Sequence, residues 1–115
     1  MKVDETVCEA CLPDAEKVES ADLVNFFKTT EGWELSDDVD FPQVRKSFKV
    51  GDFKKAQEFT NLVGELAEEE GHHPSIILEY GKVTVKWWSH KIQGIHQMDL
   101  DLSKRTDALF VEMKK

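Results

Sequence analysis

The sequence predicts an α+β domain in which an antiparallel four-stranded sheet carries about three helices packed on one face. Three observations predict it. Apolar residues recur at helical steps across 52–70, and they alternate with period two on both sides of a tight turn across 76–87. The elements follow the order helix, strands, long helix, hairpin, helix, which suits a sheet whose apolar face is covered by helices.

Residues 1–20 are mixed and acidic, contain Pro13 and hold no sustained period, so they read as an irregular lead-in to a single domain spanning 21–115. Leu23, Val24, Phe26 and Phe27 form a helical stripe, with Ser20 as the expected N-cap and Gly32 as the stop. Trp33 to Leu35 begins a strand. From Val44 to Val50, Val44, Lys46, Phe48 and Val50 alternate with Arg45, Ser47 and Lys49, the pattern of a half-buried strand. Phe53, Ala56, Phe59, Val63, Leu66 and Ala67 then mark an amphipathic helix that Gly51-Asp52 starts and Gly71 stops. Beyond Pro74, Ile76, Leu78 and Tyr80 share a face with Val83, Val85 and Trp87 if the chain turns through Gly81-Lys82. Ile77, Glu79, Thr84, Lys86 and Trp88 lie opposite, a mixed surface open to solvent or to another subunit. Residues 97–113 form a last helix with Leu100, Ser103, Ala108 and Val111 less regularly placed.

Composition narrows the function classes. At 115 residues one core suffices, and oligomerisation would help to cover it. The 23 acidic against 15 basic side chains leave a net charge of −8, which repels a phosphate backbone and disfavours nucleic acid as a direct ligand. Cys8 and Cys11 are too few for a disulfide-stapled secreted domain, and the acidic start lacks the apolar stretch of about 7–15 residues that directs export. The longest aliphatic run, Ile76-Ile77-Leu78, falls far short of the roughly 20 residues needed to span a bilayer. A soluble cytoplasmic protein is therefore expected.

Three of the four histidines stand at or near element ends: His72 and His73 after the long helix and His90 after the hairpin, with His96 the fourth. Pro74 disfavours helical geometry at His73, so the pair falls where the last helical carbonyls are unpaired and where Glu68, Glu69 and Glu70 crowd the helix end. Such surroundings favour a protonated ring, the form a general acid needs. Taken singly, His72 and His73 read as a solvated helix cap, His90 and His96 as hydrogen-bonded structural residues, and Asp99 as a first-turn carboxylate suited to the helix dipole.

Together they carry more. The run EEEGHHPSIILEYGKVTVKWWSHKIQGIHQMD resembles the signature of the pterin-4a-carbinolamine dehydratases, in which a helix ending in HHP precedes a hairpin, another histidine and an aspartate. The intervals agree, 17 positions from His73 to His90 and nine from His90 to Asp99. Trp33, Arg45, Phe48, Phe53, Ala56 and Phe59 extend the similarity to roughly residues 20–110, with Pro74 and Gly94 at framework positions. Ser89 replaces the Thr of many members and His96 stands where Thr or Ser is common. The string WWSH and the segment Cys8-Glu9-Ala10-Cys11 resemble a bacterial branch whose members accompany phenylalanine hydroxylase.

The resemblance implies a hydro-lyase, a 4a-hydroxytetrahydrobiopterin dehydratase, that turns 4a-hydroxytetrahydropterin into quinonoid dihydropterin without a metal or redox cofactor. It implies His72, His73 and His90 as the active-site histidines, with Glu68, Asp99, Ser89 and Trp88 binding substrate or supporting the site. Proton transfer by His72 and His90, ring orientation by His73, and an i, i+4 contact from Glu68 to His72 are the expected division of roles. A homo-oligomer, dimer or tetramer, is also implied. Two rival readings follow from the residues: a metal site, since histidines, an aspartate and Cys8-x-x-Cys11 are competent ligands, and a non-catalytic dimerisation or regulatory module with a vestigial pocket.

Overall fold

Alternating apolar side chains at Val83, Val85 and Trp87 make one strand the natural centre of a sheet, because all three are wholly buried. In the computed structural model, which describes residues 16–36 and 41–114, the elements are α1 (Ser20–Thr29), β1 (Glu34–Ser36), β2 (Gln43–Lys49), α2 (Phe53–Glu70), β3 (Ser75–Glu79), β4 (Lys82–Trp87) and α3 (Gln97–Lys114). The strands form one antiparallel sheet in the order β1-β2-β4-β3, with β4 paired to β2 on one side and β3 on the other. Cys8 and Cys11 lie outside the described residues. Among the described residues no helix is long and apolar enough to cross a membrane.

The register aligns Val44 with Trp87, Phe48 with Val83 and Ile76 with Val85, so a single apolar face meets the helices. Ala56, Phe59, Val63, Leu66 and Ala67 of α2 and Leu100 and Leu102 of α3 are buried with that face, as the helical spacing of α2 predicts. Phe48, Phe59 and Phe110 form a three-ring contact with centroids 4.8 to 5.4 Å apart, an arrangement that adds about 0.5–1.5 kcal/mol per pair beyond area burial. Lys46 shares the inward parity of Val44 and Phe48. Its stem crosses the Phe48 ring, 4.9 Å from ammonium to centroid, and its charge ends on Asp107 of α3 at 2.8 Å.

Three details depart from expectation. The hairpin turns through Tyr80-Gly81, not Gly81-Lys82, because Glu79 pairs with Lys82. Gly81 therefore takes the second central position with φ +70°, where a type II turn demands glycine, and Tyr80 leaves the core for solvent. Pairing shifts by two residues, so the faces survive. Ser20 is the first helical residue of α1 and Glu19 its N-cap, without a side-chain cap bond. Phe53, expected on the buried stripe of α2, is half exposed at the first turn.

The cap of α2 matches its signal: Asp52 accepts from the Lys55 amide at 2.8 Å. At the other end Gly71 adopts φ 65°, ψ 25°, its amide donates to the Glu68 carbonyl, and the His72 amide donates to that of Ala67 at 3.1 Å. This is a Schellman closure, which places the residue after glycine back against the helix. Short links then bring the end of α2, the start of β3, the end of β4 and the start of α3 to one end of the sheet, since Ser75 pairs with Lys86. The lead-in is tied to the same end, where the Val18 amide donates to the Ile95 carbonyl at 2.7 Å.

Gly71→Ala puts a Cβ on a left-handed residue and should lower stability by about 1–2 kcal/mol. A urea unfolding series compared with the unaltered protein measures this directly.

Candidate active site

His72 occupies the position that the Schellman closure turns inward, so an imidazole lies where an apolar side chain is usual. It is 1% exposed and stacks on Trp87, with centroids 5.8 Å apart and planes inclined by 12°. Its Nε2 is 2.6 Å from Asp99 Oδ1. One residue on, His73 points outward, and its Nε2 is 2.6 Å from Glu68 Oε2 with both side chains more than half exposed. Helical spacing predicts Glu68 beside His72. Gly71 breaks the helical phase between them, and the carboxylate meets His73 instead.

Asp99 is fully buried, yet each oxygen is occupied. Oδ1 faces His72, while Oδ2 accepts from the Ser89 hydroxyl at 2.7 Å and the His96 amide at 2.9 Å. An ionised carboxylate only accepts, so the proton of the His72 bond belongs on Nε2. His96 precedes α3 as its N-cap: its Nδ1 accepts from the Met98 amide at 2.9 Å while Asp99 reaches back to the His96 amide. The contacts resemble a capping box with histidine in the place of serine or threonine, except that the cap ring accepts from the second helical residue, Met98, and only the return contact comes from the third, Asp99. The ring of His96 thus closes the first turn of α3.

His90 is exposed and follows Ser89 directly. A small loop presents it, closed by two bonds between the backbones of Ser89 and Gly94, at 2.8 and 3.3 Å, and by the Gln93 amide donating to the His90 carbonyl at 3.3 Å. Gln93 takes φ 51° to make this turn. The His90 ring lies 4.6 Å from that of half-buried Trp88, which in turn lies 6.0 Å from Phe41. Trp87 faces the core and Trp88 the opposite side, the alternation expected of a strand.

A pattern unites these contacts. The two side chains that Asp99 holds, His72 and Ser89, each stand immediately before an exposed histidine, His73 and His90. One buried carboxylate thus fixes the backbone beneath two accessible imidazoles from different segments. Imidazole exchanges protons near neutrality, so two such rings on a rigid base can supply an acid and a base. Trp87 as the floor under His72 and Phe41 beside Trp88 are additions that the motif did not indicate; the inward parity of Trp87 was the available signal. Among the described residues, no group of three or more His, Cys, Asp or Glu side chains is arranged to hold a metal ion.

Fold and site together define a small α+β protein with imidazole groups gathered at one end of its sheet. Residues 16–109 match the family described as Pterin 4 alpha carbinolamine dehydratase, and the chain belongs to that family. A relative from Nitrosococcus oceani is 44% identical over 102 residues, covering 89% of this chain and 90% of its own. Another from Marinobacter nauticus is 46% identical over 103 residues, covering 90% and 93%. Both are named, provisionally, as pterin-4-alpha-carbinolamine dehydratases. The fold is that of a transcriptional coactivator/pterin dehydratase from Brucella melitensis, with TM-score 0.74 and 23% identity over 82% of this chain and 98% of that one. A pterin dehydratase-like RuBisCO assembly factor of the alpha-carboxysome shares it more loosely, with TM-score 0.57 and 22% identity over 69% and 89%.

Asp99→Ala would leave the Ser89 hydroxyl, the His96 amide and His72 Nε2 without their acceptor in a buried setting. A loss of about 3 kcal/mol is expected, read as a lowered melting temperature by calorimetry.

Proposed function

We propose that the protein dehydrates 4a-hydroxytetrahydropterin, with His73 and His90 as the proton-transfer groups and His72 as their buried support. The observation that carries this reading is the shared anchoring of both exposed histidines on Asp99, in a chain of the pterin carbinolamine dehydratase family. The sequence predicts proton transfer by His72 and His90. Burial of His72 and engagement of its Nε2 by Asp99 favour His73 for the outer role instead.

The reaction breaks the C4a–O bond and the N5–H bond. An imidazolium gives its proton to the departing hydroxyl, which leaves as water, and a neutral imidazole takes the N5 proton as the C4a–N5 double bond forms. The product is quinonoid dihydropterin, and solvent restores both rings to their starting states. Glu68 leaves Nδ1 of His73 as the ring nitrogen for a reacting group and orients the ring. That pair is too exposed to add much stability. Which of the two rings is acid depends on the face the substrate presents. A pterin-dependent hydroxylase of aromatic amino acids would supply the carbinolamine and reuse the pterin after reduction.

Each positioned acid or base is worth about 10²–10⁴ in rate. His73→Ala and His90→Ala are therefore each expected to slow dehydration by at least about 10²-fold while retaining the native circular dichroism spectrum. His72→Ala should lose stability as well as rate. The assay couples the protein to a pterin-dependent phenylalanine hydroxylase and follows decay of the carbinolamine absorbance; undiminished turnover in His90→Ala would sink the assignment. No acceleration by the unaltered protein would favour a non-catalytic role.

A further inference from the structure

The inner side of α3 carries a polar stripe, Asp99, Ser103 and Thr106, all wholly buried. Asp99 belongs to the site, and the Ser103 hydroxyl donates to the Asp99 carbonyl at 2.8 Å. Thr106 bonds instead to Leu102 and Trp87. Valine has the same shape without the hydroxyl, and a helical threonine that bonds the carbonyl one turn back slightly weakens its helix. Neither packing nor helix propensity accounts for a hydroxyl here.

We propose that Thr106 is a positioning residue that acts through Trp87 to set the plane of the His72 ring, an inference that rests on the dehydratase reading above. The bonds run in one direction. Thr106 Oγ1 has a single proton, which it gives to the Leu102 carbonyl at 2.7 Å, and this bond selects one of the two χ1 rotamers open to threonine in a helix. A lone pair then faces the Trp87 indole N–H, which donates to it at 3.1 Å. The indole so anchored lies nearly parallel to the His72 imidazole, inclined by 12° with centroids 5.8 Å apart. Asp99 fixes His72 Nε2 at 2.6 Å. That nitrogen lies close to the Cβ–Cγ axis, so the bond restrains rotation about the axis weakly, and the stacked face of Trp87 supplies the stronger restraint. Edge and face of the ring are thus held by different residues. A tilt of the ring would pull on Asp99 and, through Ser89, on the backbone beneath His90.

The test is a cycle of substitutions at the two ends of the Trp87–Thr106 bond. Thr106→Val strands the indole N–H, whereas Trp87→Phe keeps an aromatic ring and has no N–H to place. Turnover of the carbinolamine is measured in the hydroxylase-coupled assay, and the proton on His72 Nε2 is followed by NMR of protein labelled with ¹⁵N-histidine. Thr106→Val should lower kcat roughly tenfold, within the 10²-fold that a 1 Å misplacement can cost, with KM little changed. It should also shift or broaden the His72 proton resonance. Thr106→Ser, which keeps the acceptor, should rescue both readouts, and Trp87→Phe alone should move both. In the Trp87→Phe background Thr106→Val should have no further effect on kcat, since the bond it acts through is already gone. A Thr106→Val protein with a lowered melting temperature but unaltered kcat and His72 resonance overturns the proposal, as does an equal loss of kcat in both backgrounds; the dehydratase reading stands in either case. If the unaltered protein does not turn the carbinolamine over, that reading falls and the His72 resonance alone decides the role of Thr106.

Discussion

A carboxylate with no solvent contact survives inside a protein only if its surroundings supply what water did. Asp99 meets that condition with bonds from three segments: the imidazole at the end of α2, a hydroxyl at the end of β4 and the amide that opens α3. The arrangement is asymmetric in energy. Complete, it adds little net stability, because the carboxylate has given up hydration; incomplete, it strands a buried charge or a buried donor at a cost of several kcal/mol. The segments are thus held to one relative placement. Both exposed histidines inherit that placement, since each is the next residue after one that the carboxylate holds.

The apolar core reaches the same point through Trp87. Its ring lies under His72, its indole N–H donates to Thr106 Oγ1 at 3.1 Å, and that hydroxyl donates to the Leu102 carbonyl. Sheet, α3 and site therefore share one wholly buried side chain. The order β1-β2-β4-β3 places β4 centrally and β3 at the edge, which leaves Ile76 half-buried while Val85 opposite it is wholly buried.

Much of this was legible in the sequence where local rules act alone. The helical stripe of α2, its Asp52 cap, its Gly71 stop and the two-faced hairpin followed from spacing and from backbone chemistry. The turn residue was misplaced because glycine satisfies a tight turn at either central position, and only the pairing of Glu79 with Lys82 decides which. Glu68 was assigned to His72 because helical spacing was carried one residue past the point where the helix ends. The burial of His72 depends on Asp99, 27 positions away, and no periodicity reports such a bond. The capping box at His96 and Asp99 was hidden by an unusual cap residue, though its three-residue interval stood in the sequence. The resemblance pointed to His72, His73 and His90 with unequal expected roles, and the structure shows His72 buried and the other two exposed.

That inequality originates in a single backbone angle pair. Gly71 reverses the handedness of the chain for one residue, and two neighbouring imidazoles of identical composition part company: one is enclosed and the other faces solvent. The glycine works as a phase shifter, converting a one-step difference in order along the chain into a difference between inside and outside. Sequence comparison of HH pairs alone would score the two positions as interchangeable. A one-residue insertion after Gly71 would place the inserted side chain in the buried position and carry the first imidazole to the exposed one.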